Sequence, residues 1–378
     1  MAVLAAHLRE AFARVCGAGG PVRIFRGPGR VNLIGEHTDY NLGFVLPMAL
    51  ELACFTACAP SADGRLRVYS EYLHQSREWL VEEIPDLKPA RHWSDYIAGV
   101  AQELLRAGLA IQPTNLLIWS TVPVGSGLSS SAALEVSTAL ALLGDQKMDG
   151  LELALLCRRA ENQFVGMPCG IMDQYVSVFG RENSAVKIDC RSLQHEAVAL
   201  PAGIEILAVN TMVKHELGQS AYAQRVQECA AAAQAAGVES LRDATLGDLT
   251  DAVPLVPRKR ARHIITENAR VEDFIAACRR GDLRAMGELF VASHRSLQND
   301  YEVSCAELDF LVDTALAIPG VLGARMTGGG FGGCTVNLLR PDAVADFEAR
   351  ITTAYRARFG LTPHIYPCHP APGASEIR

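Results

Sequence analysis

The chain has no CxxC pair, no apolar run of membrane-spanning length, no internal repeat and no low-complexity linker. Without CxxC, the commonest zinc-finger and thiol-redox signatures are excluded. His364, Cys368 and His369 lie close together, but their spacing fits no standard zinc signature. Eleven cysteines are present, many beside apolar neighbours, as at Cys54, Cys157, Cys229 and Cys278. They read as reduced, buried thiols of a cytosolic protein. Positive charge is also short: the net charge is −7, which argues against a nucleic-acid surface. A small anionic ligand is not excluded, because a local pocket can be basic inside an acidic protein. The opening MAVLAAHLREAFARV lacks the basic n-region of a secretory signal. Its apolar positions Val3, Leu4, Leu8, Phe12 and Val15 suit an amphipathic helix. The expectation is a cytoplasmic protein without a membrane or nucleic-acid partner.

What is present is an ordinary globular balance, 49% apolar and 20% charged over 378 residues, enough for two domains. Strand-like segments are expected at Arg23–Arg26, Val45–Ala59, Leu66–Glu71, Asn115–Val122, Val186–Asp189 and Ile204–Asn210. Helical spacing covers Tyr96–Gly108, Ala132–Leu143, Leu151–Phe164, Ala221–Ala236, Ala261–Ala277, Leu283–Arg295, Cys305–Ala317 and Ala343–Phe359. Strands and helices alternate without a strict βαβ rhythm, so the class is α+β. The change from strand-rich to helix-rich character places a boundary near 200, giving domains 1–200 and 201–378.

The segment PVGSGLSSSAALE, Pro123 to Glu135, has the glycines of a phosphate-cradling loop but no lysine, so it is not a P-loop. A strand precedes it and a helix follows. Gly125 and Gly127 allow close backbone approach, and Ser129, Ser130 and Ser131 fall where the helix begins, as N-cap-type residues. Free amides and the helix dipole there bind an anion without a side-chain cation. The alternative is a tight turn without a ligand. Two further segments lack either period: GPGRVNLIGEHTDYNLGFVLPMAL from Gly27 and GMPCGIMDQ from Gly166. In the first, Glu36, His37 and Asp39 offer hydrogen-bonding side chains suited to a polyhydroxylated ligand, unless the loop is polar merely because it is exposed. Val31, Leu33 and Ile34 beside them suggest partial burial. The basic run Arg258, Lys259, Arg260, Arg262 and His263 is read as a solvated helix face.

PVGSGLSSSAALE resembles the central motif of the GHMP kinases, the superfamily of galactokinase, homoserine kinase, mevalonate kinase and phosphomevalonate kinase. GRVNLIGEHTDYN (Gly29–Asn41) looks like the galactokinase signature, RMTGGGFGGCTV (Arg325–Val336) like the third superfamily motif, and GMPCGIMDQ like the galactokinase segment with the catalytic aspartate. The matches occur in family order. The resemblance implies a GHMP kinase fold: an N-terminal domain like ribosomal protein S5 domain 2, a ferredoxin-like C-terminal domain with extra helices, and a site in the cleft between them.

It further implies ATP-dependent, Mg²⁺-assisted phosphorylation of galactose at C1, the first committed step of galactose breakdown, by a monomer. Asp173 and Arg30 would be catalytic. Glu36, His37, Asp39, Gly170 and Tyr222 would bind the sugar. Gly125, Ser126, Gly127, Leu128, Ser129, Ser130 and Ser131, with Ser70 and Trp93, would hold the nucleotide. Ser131 and Glu161 would ligate Mg²⁺; by pattern alone Glu161 is a helix-surface glutamate. A related kinase, such as an N-acetylgalactosamine kinase, or a non-catalytic galactose sensor are the alternatives. Sensors that resemble galactokinases lack a Ser-Ala pair just after the triple serine, whereas SSSAALE is continuous here. Ala133 stands where many relatives have serine, a change a helix interior tolerates.

Overall fold

The computed structural model describes residues 2–17, 20–214 and 218–377. In chain order the elements are α1 (Ala2–Cys16), β1 (Arg23–Asn32), β2 (Phe44–Val45), β3 (Pro47–Pro60), β4 (Arg65–Ser70), β5 (Gln75–Leu80), α2 (Asp95–Arg106), β6 (Thr114–Ser120), α3 (Ser130–Leu143), α4 (Gly150–Arg159), α5 (Met172–Phe179), β7 (Ser184–Asp189), β8 (Gln194–Ala199) and β9 (Glu205–Lys214). There follow α6 (Gly218–Ala236), α7 (Leu255–Arg280), α8 (Leu283–Ser296), α9 (Ala306–Leu316), β10 (Val321–Thr327), β11 (Gly332–Leu339), α10 (Val344–Phe359), β12 (His364–Pro367) and β13 (Ser375–Ile377). Three sheets result, ordered β13-β1-β3-β6-β4-β5, β10-β11-β9-β12 and β2-β7-β8. Among the described residues all pairings are antiparallel except β4 with β6. The mixture of helix and antiparallel sheet is the α+β class expected from the pattern.

The largest core packs the first sheet against α2, α3 and α4, with Val31, Leu33, Ile34, Val100 and Val136 fully buried. Within it, β1 runs straight through the segment GPGRVN, which carries no strand period in sequence. The glycines there answer to packing. A Cβ on Gly27 would stand 2.3 Å from the Ala133 carbonyl oxygen on α3, so only glycine lets the strand lie on that helix. The register slips between Pro28 and Arg30, and a bulge of this kind re-aims a side chain. It falls next to Arg30.

Two helices end in wide π turns, Ala160–Val165 after α4 and Leu297–Tyr301 after α8. Such turns shift the helical register and concentrate at functional sites. The first takes Glu161 off the solvent face that simple helical spacing gives it; the residue is only 7% exposed. The basic run on α7 also departs from expectation. Arg260 and His263 are buried, and the others are paired: Arg258 with Asp251, Lys259 with Glu302, Arg262 with Asp300. Arg260 bridges Glu228 of α6 and Glu302. Acidic partners distant in sequence hold Lys259 and Arg260, while Arg262, its side chain 47% exposed, keeps the solvated position expected of it.

Among the described residues no helix is long and apolar enough to cross a membrane. The cysteines are free, most of them buried. Strand β13 returns to the first sheet beside β1, pairing Ile24 with Ile377.

Candidate active site

The glycine–serine loop joins β6 to α3. Gly125 and Gly127 adopt φ of 73° and 82°. The Ser126 hydroxyl donates to the Pro123 carbonyl, and Leu128 is fully buried. Ser129 precedes α3 with φ of 61°, and its side chain does not cap the helix, contrary to the N-cap role expected for it. Its hydroxyl is drawn instead to Asp173 Oδ2, at 2.5 Å. Ser130 opens the helix, whose first amides are left without a side-chain acceptor. This is the arrangement that accepts an anion.

Asp173 lies in the first turn of α5. Arg30 from β1 grips it with two hydrogen bonds, Nε to Oδ1 and Nη2 to Oδ2, both 2.8 Å. The Arg30 side chain is 6% exposed, and its Nη1 donates to the Gly127 carbonyl at 2.5 Å. The Arg30 amide bonds the Leu128 carbonyl at 3.1 Å. One arginine thus fixes both the carboxylate and the loop. The β10–β11 connection closes from the other side: a Cβ on Gly328 would stand 3.1 Å from the Gly127 carbonyl, and one on Gly333 3.0 Å from that of Ser126. The two glycine loops lie backbone against backbone.

Beside Asp173 is a polar pocket. Asp39 packs on Gly170 so closely that a Cβ there would sit 1.8 Å from Asp39 Oδ2. Burial foremost, then the charge of Asp173, raise the Asp39 carboxyl to about 6. His37 is buried, bonded through Nδ1 to the Tyr40 hydroxyl at 2.8 Å, while its Nε2 has no partner. Burial pushes this imidazole well below the ordinary histidine range, so the ring is neutral. Tyr222 on α6 places its ring 5.5 Å from that of His37; the first three residues of the HELGQSAYAQR stretch lie outside the described residues. Glu36 is 1% exposed and already accepts from Asn32 Nδ2, Thr327 Oγ1 and the Gly328 amide, each at 2.9 Å. It ties the first motif to the third.

Glu161 is hydrogen-bonded to the hydroxyl of Ser131. Burial, then Asp173, raise it to about 7. Sequence reasoning passed over its neighbours Glu135 and Gln174. Gln174 Nε2 donates to Glu161 Oε2 at 2.6 Å and to Glu135 Oε2 at 3.0 Å. Glu135 is fully buried, and desolvation with the nearby Glu161 pushes it well above the carboxylate range. The available signal was spacing: Ser131 and Glu135 are four apart on one helix face. The donor set suits Mg²⁺, which takes one or two protein oxygens and completes its shell with phosphate and water. Among the described residues no cluster of three or more His, Cys, Asp or Glu is arranged to hold a metal by itself.

Ser70 and Trp93 stand apart from these groups. Ser70 ends β4 and accepts from the Leu73 amide; Trp93 donates to Gln75 Oε1. Among the described residues no hydrogen bond or ring contact joins either to the glycine–serine loop.

The lysine-free glycine–serine loop, the arginine-clamped aspartate and the second glycine loop folded onto the first thus lie together at one place. The sequence pattern for the N-terminal domain of GHMP kinases matches residues 95–181, and that for their C-terminal domain residues 274–357. The galactokinase galactose-binding signature matches residues 10–60. The chain is 43% identical to the galactokinase of Roseiflexus sp. (strain RS-1), over 98% of this chain and 97% of that one. It is 45% identical to human galactokinase, over 100% and 97%. The structure of Lactococcus lactis galactokinase complexed with galactose superposes with a TM-score of 0.95 at 35% identity, covering 99% of this chain and 100% of that one. A mevalonate kinase shares the fold at 17% identity, with a TM-score of 0.68. The chain belongs to the galactokinase family.

Proposed function

We propose that the protein transfers the γ-phosphoryl group of ATP to the C1 hydroxyl of galactose, giving galactose 1-phosphate and ADP. The observation that carries this reading is the position of Asp173. Its carboxylate is shared by Arg30 and by Ser129 of the anion loop, and the pocket of Asp39, Gly170 and His37 adjoins it. Sugar and phosphate would meet there. Phosphoryl transfer asks mainly for positioning and charge neutralisation. Asp173 accepts the C1 proton as the hydroxyl attacks, and Arg30 holds that carboxylate against the loop and offsets charge on the phosphate. The Gly125–Ser131 amides cradle the phosphates, with Ser70 and Trp93 assigned to the nucleotide on resemblance alone. Mg²⁺, when bound, supplies further charge neutralisation; Ser131 and Glu161 would hold it.

Glu36, His37, Asp39, Gly170 and Tyr222 select the sugar, because the wrong hydroxyl leaves a buried polar group unpaired at about 1–3 kcal/mol each. The reading takes 1–200 and 201–378 as two domains with the site between them. It also takes the protein as a cytoplasmic monomer. A coupled ADP-release assay over galactose, glucose and N-acetylgalactosamine, with the product identified by phosphorus NMR, tests it. Galactose should be preferred over glucose by at least about tenfold in kcat/KM for one such lost bond. Comparable values for both sugars, or ADP release without sugar phosphate, would overturn the assignment.

A further inference from the structure

His37 sits at the end of a chain of hydroxyls that the proposed reaction does not use. Its Nδ1 lies 2.8 Å from the Tyr40 hydroxyl, which lies 2.6 Å from that of Tyr301; Cys229 Sγ lies 3.1 Å from the Tyr301 oxygen. The rings enclose the imidazole, with Tyr301 at 4.7 Å, Tyr222 at 5.5 Å and Tyr40 at 5.9 Å between centroids. Tyr301 comes from far along the chain. It closes the π turn after α8, and Arg225 of α6 pins that turn by donating to the carbonyls of Tyr301 and Glu302. The loop bearing His37 is fixed as firmly: Asn41 donates to the His37 carbonyl, and Thr38 to those of Gly35 and Phe44. Amid this bonding, His37 Nε2 is buried and unpartnered. Such an atom is costly to leave unmade, which marks it as awaiting a ligand.

We propose that Tyr40 and Tyr301 are positioning residues for sugar recognition, acting as a hydroxyl relay that fixes the rotamer and tautomer of His37 so that Nε2–H is presented to a sugar oxygen. The direction follows from donor and acceptor strength. A neutral imidazole has one donor and one acceptor nitrogen. A phenol donates better than it accepts, and an imidazole nitrogen is a strong acceptor. Tyr40 O–H therefore donates to Nδ1, Tyr301 O–H to the Tyr40 oxygen, and the thiol of Cys229 to the Tyr301 oxygen. That order leaves the proton of His37 on Nε2. The reverse order ends in a phenol donating to sulfur, a weak acceptor.

This inference rests on the proposed sugar site, and its test separates the two. Nitrogen-15 NMR of the sugar-free protein reads the His37 tautomer directly, whatever the substrate. Protonation at Nε2 is expected, with the tautomer balance shifted in Tyr40→Phe; protonation at Nδ1 overturns the relay even if galactose is the substrate. Calorimetry with galactose alone then measures function. Tyr40→Phe and Tyr301→Phe, which keep both rings, should each weaken galactose binding about 5–10-fold, the range of one neutral hydrogen bond. KM for ATP should stay within about twofold of the parent. In a His37→Ala background Tyr301→Phe should cost nothing further, because interaction through His37 makes the two changes non-additive. Affinity equal to the parent in both phenylalanine variants, or an undiminished loss in the His37→Ala background, overturns the proposal.

Discussion

Replacing Asp39 by Asn should make the protein more stable and worse at its task. The carboxyl is buried, accepts the Tyr40 amide and is held at about 6 against an ordinary 3.8, by burial first and Asp173 second. A carboxyl whose folded value is raised favours folding most when protonated. Its contribution is fully present below 3.8 and is lost as pH rises through about 6. A rise of about 2 units, at about 1.4 kcal/mol per unit, sets a ceiling of about 3 kcal/mol of destabilisation at neutral pH. Asn keeps the shape and the acceptor for the Tyr40 amide but carries no charge. The assay is urea unfolding of both proteins at half-unit steps from about pH 4 to about pH 7.5, without sugar. The stability gap, variant minus parent, should open across pH 4–6 and level above it at about 1–3 kcal/mol. Galactose should then stabilise the variant less than the parent, because Asn replaces one of the two acceptor oxygens and the charge of Asp39 with an NH₂ that cannot accept from a sugar hydroxyl. A gap that is constant with pH, or a variant less stable than the parent at pH 7, would refute the reasoning.

Gly170→Ala would force a methyl to within 1.8 Å of Asp39 Oδ2, so Asp39 must move; galactose affinity by calorimetry should fall at least about a hundredfold, the scale of a misplaced ligand. Affinity within a few-fold of the parent would show that the Asp39–Gly170 contact does not shape the pocket. Glu161→Gln removes a buried carboxylate raised to about 7, and should raise the Mg²⁺ concentration for half-maximal activity at least about tenfold while leaving Tm unchanged or higher. An unaltered Mg²⁺ response would remove Glu161 from the metal site.

Much of the site was legible because its residues cluster in short stretches. Loop geometry followed from a strand, two glycines and a helix start in the Gly125–Ser131 segment, and family resemblance supplied the roles. Long-range contacts were not legible. The glycines at Gly27 and Gly29 broke the strand pattern, yet Gly27 serves the contact of β1 with α3 and Gly29 its contact with the Val122–Leu128 loop. Glu161 has helical spacing for the surface, and a π turn carries it inward. Arg260 and His263 looked solvated, because their partners Glu228, Glu302 and Ser296 lie elsewhere in the sequence. Glu135 was in plain view, but its burial against Glu161 is a tertiary fact. Tyr301 reaches Tyr40 across 261 positions, with no local pattern to announce it.

The central claim is that Asp173 acts on the sugar hydroxyl rather than merely bracing Arg30. Asp173→Asn keeps the side chain's shape and removes its charge and basicity. The decisive measurement pairs calorimetric galactose binding with steady-state turnover on the same preparation. Binding should persist within a few-fold, because Glu36, His37 and Asp39 remain in place. Turnover should fall by about 10²–10⁴-fold, the usual worth of general-base help. Turnover within about tenfold of the parent would contradict the claim, and loss of binding together with turnover would make Asp173 a structural residue.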